Sequence, residues 1–311
     1  MRKIRIGTRG SRLALWQAEN VQNELCRGTP RATCEIVVIT TQGDRDRSSS
    51  LTSIGGMGVF TKEIEKALLE GDIDVAVHSL KDLPTGMSEG LELAAVPARG
   101  PVEDALVSLC GLPLQDLPQG AVIGTGGIRR RSQLLHHRPD LQMKDLRGNI
   151  ETRLRKLYSQ DFDAIVMARA ALVRLGMQMV LYSVFDCREM VPAVGQGAIG
   201  VQIRTEDEFV GKLVRAVNHS DTYRAVTAER AFLYALDSGC QFPVGANAAV
   251  HEDRLEITGF VGSEDGKTVF TESHSGPSES PGQVGNELAG RLIDMGALRL
   301  LGDYRNGTAS T

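Results

Sequence analysis

Long apolar runs are missing from this sequence. No stretch approaches 18 consecutive apolar residues, so no transmembrane helix is expected. The basic start, Met1 to Gly7, is not followed by the apolar segment that a secretory leader carries. The five cysteines (Cys26, Cys34, Cys110, Cys187 and Cys240) are odd in number and form no C-x-x-C, which points to free thiols in a reducing compartment. The six histidines show no metal-ligand spacing, so no metal site is expected. There is no phosphate-binding G-x-x-x-x-G-K-[ST] loop and no dinucleotide glycine fingerprint. A net charge of −4 argues against a general nucleic-acid partner.

Lysine is also scarce. Of 35 basic residues 8 are lysine and 27 arginine. Guanidinium groups grip carboxylates and phosphates in a two-pronged way that an ammonium cannot. Codon bias produces the same composition, so the positions of the arginines have to decide. With 41% hydrophobic and 24% charged residues the 311-residue chain has the make-up of a globular protein of two or three domains.

The first two thirds alternate strand and helix. Ile4–Thr8 reads as a strand, and Ser11 caps a helix with Ala14, Leu15, Ala18, Val21 and Leu25 on one face. A strand at Glu35–Thr40 and a polar loop at Gln42–Gly58 follow. Next come a helix carrying Phe60, Ile64, Ala67 and Leu68, and an apolar strand at Ile73–Ser79. Two themes then recur: Ile6-Gly7-Thr8 with Gly10 returns as Ile123-Gly124-Thr125 with Gly127, and Asp72-Ile73-Asp74 returns as Asp161-Phe162-Asp163. Strings this short recur by chance as readily as by duplication; as duplication they imply two similar α/β domains around a shared cleft. From Ser220 the texture changes to a helix, three alternating strands near Ala246–His251, Arg254–Gly262 and Lys267–His274, and a last helix at about Gly282–Ala297. The tail from Asn306 reads as frayed.

Several segments carry chemistry. Gly7-Thr8-Arg9-Gly10-Ser11 and Gly124-Thr125-Gly126-Gly127-Ile128-Arg129-Arg130-Arg131 each combine a strand end, a helix start, a hydroxyl and arginine, the parts of an anion site. Read alone, either is also a tight turn with solvated charges. Arg147, Arg153 and Arg174 add further guanidinium groups near strand ends, where open α/β sheets bind ligands. The implied ligand is small and carries several carboxylates or phosphates. Lys81-Asp82 after the strand Ile73–Ser79 can stabilise a developing cation or move protons, and can equally be a surface ion pair. Cys240, in the loop Ser238–Pro243, can serve as a nucleophile or covalent anchor, or be no more than a cysteine. The other four cysteines read as packing residues.

Together these segments resemble the porphobilinogen deaminase (hydroxymethylbilane synthase) family. The likeness rests on Gly7 to Ala18, Val77 to Pro84, Gly124-Thr125 with Arg129-Arg130, Leu146 to Asn149 with Thr152-Arg153-Leu154, Pro192 to Ala198, Thr227 to Arg230 and Gly239 to Pro243. The resemblance implies an α/β fold: two periplasmic-binding-protein-like domains around a cleft, plus a small C-terminal α+β domain with a three-stranded antiparallel sheet. The expected boundaries are 1–98 with 193–217, 99–192, and 218–311. It further implies a cytoplasmic monomer that joins four porphobilinogens head to tail with loss of ammonia, giving linear hydroxymethylbilane. Elongation starts on a dipyrromethane cofactor held by a thioether to Cys240. Asp82 corresponds to the catalytic carboxylate, which stabilises the azafulvenium-like cation. Arg9, Ser11, Lys81, Thr125, Arg129, Arg130, Arg147, Arg153 and Arg174 correspond to substrate- and cofactor-binding residues, and Phe60 belongs to a lid loop. The acetate and propionate on every pyrrole suit an arginine-rich cleft.

Two departures from the family stand out. Ser53 and Met57 replace lid lysines, and Gly126 and Gly127 replace two serines beside the anion site. The alternative from another functional class is a solute-binding protein or a regulator's effector domain; neither needs Asp82 together with Cys240.

Overall fold

The computed structural model describes residues 3–28, 33–45, 58–159, 161–237 and 242–308. In chain order its elements begin with β1 (Lys3–Thr8), α1 (Arg12–Gly28), β2 (Thr33–Val38), α2 (Gln42–Arg45), α3 (Lys62–Leu69), β3 (Val75–Ser79) and β4 (Leu91–Ala95). They continue with β5 (Asp104–Ser108), β6 (Val122–Gly124), α4 (Ile128–His137), β7 (Gln142–Lys144), α5 (Ile150–Tyr158), β8 (Ala164–Ala168), α6 (Arg169–Arg174) and β9 (Tyr182–Val184). The remainder is β10 (Ile199–Arg204), α7 (Glu208–Arg215), α8 (Ser220–Ala235), β11 (Val244–His251), β12 (Arg254–Gly262), β13 (Val269–Pro277), α9 (Pro281–Asp294) and α10 (Ala297–Thr308). The chain forms two compact units, Met1–Gly100 with Gly197–Tyr223, and Pro101–Gln196 with Arg224–Thr311.

The first unit holds a five-stranded sheet in the order β2-β1-β3-β10-β4. The second holds a five-stranded sheet, β7-β6-β8-β5-β9, and the three-stranded antiparallel sheet β11-β12-β13. The two five-stranded sheets share one plan. Three parallel strands are followed by one reversed strand, β10 in the first and β5 in the second. The correspondence extends to single atoms. The amide of Asp74 donates to Arg5 O as that of Asp163 does to Val122 O. The Asp74 carboxylate accepts from Arg5 N as the Asp163 carboxylate accepts from Val122 N. A Cβ on Gly7 would lie 2.3 Å from Ile73, and one on Gly124 2.8 Å from Phe162. The recurring strings are therefore structural equivalents, and each glycine lets a bulky side chain close over the strand.

Both faces of each five-stranded sheet are covered, which is why β3 reads as an apolar run. Ile4, Ile6, Val21, Val75 and Val201 form one core of the first sheet, while Ile64, Leu68, Ile73 and Ala76 form another. Leu106, Ile123 and Val166 occupy one face of the second sheet, and Ala105, Leu157 and Ile165 the other. Phe232, Ile257 and Leu288 centre a fifth core beneath the three-stranded sheet. Truncating such a side chain to alanine costs about 2–5 kcal/mol.

Several boundaries differ from the expected ones. Phe60 precedes α3 instead of belonging to it, and the expected loop from Gln42 contains the helical turn α2. The last helix ends at Asp294, Gly296 at φ 107° breaks the chain, and α10 continues the backbone to Thr308 where a frayed tail was expected from Asn306. Cys26 and Cys110 are exposed, so not all four of the remaining cysteines are packing residues. Cys240, Ser53 and Met57 lie outside the described residues.

Candidate active site

In the first unit, Arg9, Ser11, Phe60, Lys81 and Asp82 border one cavity of about 110 Å³, together with Gln17, Thr61, His78 and Ser79. Ser11 caps α1: its Oγ accepts from Ala14 N at 3.2 Å. Lys81 and Asp82 sit on a single turn of 3₁₀ helix, Leu80–Asp82, directly after β3. The buried side chains of Leu80 and Leu83 pin that turn, and Leu80 N donates to Ala198 O at 3.0 Å. Gly200 makes room, since a Cβ there would fall 2.9 Å from Leu80. The alternation of anchored leucines with polar residues holds the Lys81 and Asp82 backbone at the cavity wall.

Arg9 is fixed from two sides. Its Nη2 donates to Asp44 Oδ1 at 2.5 Å, and its guanidinium lies 4.0 Å over the ring centre of Phe60. The Phe60 ring occupies the space where a side chain on Gly43 would be. Burial works to raise the Asp44 pKa, but hydrogen bonds from Arg9 and Thr41 outweigh it and hold the carboxyl below the usual range. His78 is 5% exposed, and burial, helped by the charge of Arg9, depresses its pKa to about 4. It borders the cavity as a neutral imidazole whose Nε2 has no hydrogen-bond partner. Gln17 Nε2 donates to Ser79 Oγ at 2.9 Å.

In the second unit the other candidates lie on the segments that follow its three parallel strands, β6, β7 and β8. Thr125 follows β6, and its Oγ1 accepts from Gly127 N at 3.2 Å. Arg129 and Arg130, in the first turn of α4, were expected to hold ligand carboxylates. In the structure both are buried and committed to Asp104, itself 0% exposed. Arg129 Nη2 donates to Asp104 Oδ2 at 2.7 Å and Nη1 to Val191 O at 2.6 Å. Arg130 Nη2 donates to Asp104 Oδ1 at 2.7 Å and Nη1 to Val166 O at 3.2 Å. Gln196 Nε2 reaches the same carboxylate at 3.0 Å. Burial alone would raise the Asp104 pKa; the two guanidinium charges overcome it and drive the pKa far below the usual range. The pair therefore brings one net positive charge to this end of the sheet rather than two.

Arg147 precedes Gly148, whose φ of 111° turns the chain into α5. Asn149 caps that helix by accepting from Thr152 N. Arg153, one turn in, donates from Nε to Gly148 O at 2.9 Å. Arg174 closes α6, which follows β8, and burial lowers its pKa to about 10, still well above neutrality. Arg147 and Arg153 thus flank the start of α5, and Arg174 lies on the helix after the next strand.

The sequence reading overlooked Asp44, Gln17, His78, Asp104 and Glu229. Gln17 and His78 lay inside motifs already singled out. Asp44 and Asp104 gave no local signal, because their partners are 35 and 25 residues away. Glu229 lies in the segment Thr227 to Arg230; its buried carboxylate accepts from Gly195 N at 2.7 Å and from Ala248 N at 2.8 Å.

Comparisons with known proteins cover most of the chain. The family model for the porphobilinogen deaminase dipyrromethane cofactor binding domain matches residues 4–212, and that for the porphobilinogen deaminase C-terminal domain matches residues 223–294. Porphobilinogen deaminase of Geobacter metallireducens is 45% identical over 302 residues, covering 97% of this chain and 95% of its own. That of Pelotomaculum thermopropionicum is 47% identical over 300 residues, covering 96% of each chain. Among solved structures, a periplasmic substrate-binding protein of an ABC transporter from Coxiella burnetii aligns with a TM-score of 0.43 and 14% identity, over 69% of this chain and 91% of that one.

Proposed function

The chain belongs to the porphobilinogen deaminase family, and from that premise we propose which of its residues carry the reaction. The enzyme is a transferase that condenses porphobilinogen to hydroxymethylbilane in tetrapyrrole biosynthesis, with a dipyrromethane cofactor. Four substrate molecules join head to tail, and each loses ammonia. Dipyrromethane, when bound, supplies the nucleophilic pyrrole carbon at which the chain grows.

Asp82 is the catalytic carboxylate. Its anionic charge, on the turn between Leu80 and Leu83, stabilises the cation left on the substrate when ammonia departs. Lys81, Arg9 and Ser11 bind substrate and cofactor carboxylates around the same cavity, and Phe60 supports Arg9 from below. Thr125, Arg147, Arg153 and Arg174 bind the remaining acetate and propionate groups by charge and forked hydrogen bonds. Arg129 and Arg130 act there through their one uncompensated charge. The residues present suit such a polycarboxylate group: the segments after β6, β7 and β8 are rich in arginine, and one of these residues, Arg174, is partly desolvated. Cys240 carries the cofactor through a thioether, and the enzyme works as a cytoplasmic monomer.

The observation that carries this reading is the placement of Asp82 and Lys81 on one pinned turn in a cavity that Arg9 and Ser11 also border. It is tested by Asp82→Asn, which keeps the shape and removes the charge. Porphobilinogen consumption should fall by at least about 10²-fold with folding intact. Turnover near the wild-type rate would make Asp82 a surface ion-pair residue.

A further inference from the structure

Cys26 and Cys34 lie far along the chain from Ser11 and Asp82, and the reaction leaves both unused. Cys26 is in the last turn of α1 and is exposed; Cys34 is in β2, the edge strand of the first sheet, and is half-buried. Gln22 lies one helical turn before Cys26 on the same side of α1, and its Nε2 donates to Cys34 O at 2.8 Å. Leu25, beside Cys26, and Cys34 line one small apolar cavity with Ile4, Val210, Leu213 and Val214. These contacts place the last turn of α1, which carries Cys26, against β2 at Cys34. Burial first, then the neighbouring Cys26 thiol, push the Cys34 pKa up to about 11, so Cys34 keeps its proton while Cys26 faces solvent.

We propose that Cys26 and Cys34 form a reversible dithiol–disulfide pair that captures hydroperoxides and protects Cys26 from irreversible oxidation. The exposed Cys26 sulfur attacks one peroxide oxygen and breaks the O–O bond, giving up its proton and becoming a sulfenic acid as the first water leaves. Cys34 then gives up its proton, and its sulfur displaces the hydroxyl group from the Cys26 sulfur, releasing a second water. Two thiols lose two electrons and two protons, and one hydrogen peroxide becomes two waters. The bond closes a short loop and joins α1 to β2 at the end away from Ser11, so reduced and oxidised enzyme should turn over alike.

The test treats the holoenzyme with hydrogen peroxide and maps its peptides without reductant. Trypsin cuts at Arg27 and Arg31 between the two cysteines, so only a disulfide can hold the two fragments together. Expected is a linked pair containing Cys26 and Cys34, about 2 Da lighter than the sum of the two reduced fragments and separated by dithiothreitol. In Cys34→Ser, which should retain wild-type turnover, Cys26 should be trapped as sulfenic acid by dimedone, at a yield on the order of tenfold above wild type. In Cys26→Ser, Cys34 should stay reduced at the same dose. Separate fragments with Cys26 over-oxidised in the wild type, or links to Cys110, Cys187 or a second molecule instead, would overturn the pairing.

Discussion

Asp104 accepts a 2.7 Å hydrogen bond from Arg129 at a site closed to solvent, and its other oxygen is held by Arg130. Two guanidinium groups on neighbouring residues tolerate each other there because one carboxylate lies between them.

Removing that carboxylate strands two buried cations. Asp104→Asn should destabilise the second unit by about 3–5 kcal/mol, measured by urea unfolding. The linkage has a definite sign. The folded pKa of Asp104 is depressed, so its stabilisation is full above its unfolded value near ~3.9 and is lost as pH falls below it. The wild type should therefore show a steeper loss of stability below about pH 4 than Asp104→Asn. Parallel acid limbs would contradict a charged Asp104.

His78 acts in a higher window. It is buried and neutral, with a folded pKa of about 4 against about 6.5 unfolded. Below the unfolded value the unfolded chain binds the extra proton, so stability should fall as pH drops from about 6.5 to about 4. His78→Gln should flatten unfolding free energy across that range. An unchanged slope would assign the dependence to other groups.

The two glycines expected to stand in place of family serines, Gly126 and Gly127, are not equivalent. A Cβ on Gly126 would lie 2.8 Å from Leu146 O, whereas one on Gly127 meets nothing closer than 3.8 Å. Gly127 is also the residue that caps α4, with extended backbone and no side chain to close the helix. Gly126→Ser should cost about 1–3 kcal/mol, while Gly127→Ser should be neutral or stabilise by a few tenths. Urea midpoints of the two variants decide it, and equal losses would refute the distinction.

These cases show what a single sequence exposes. The α/β alternation, the Ser11 cap and the strand Ile4–Thr8 were legible because periodicity and capping act locally. Strands β4, β5, β7 and β9 were not read, being three to five residues long with too few turns of pattern to mark them. The motif arginines were found, but the burial of Arg129 and Arg130 was not, because it depends on Asp104 arriving from another strand. Arg9 was found without Asp44 for the same reason.

The central claim, a chain-building enzyme primed at Cys240, is tested most directly by the intact mass of the purified protein. Wild type should carry an added mass equal to two pyrrole units, retained under denaturing conditions as a thioether requires. Cys240→Ser should have the bare polypeptide mass and leave porphobilinogen unconsumed. A wild-type protein that remains at its polypeptide mass after incubation with porphobilinogen, or a Cys240→Ser protein that carries the same addition, would contradict it.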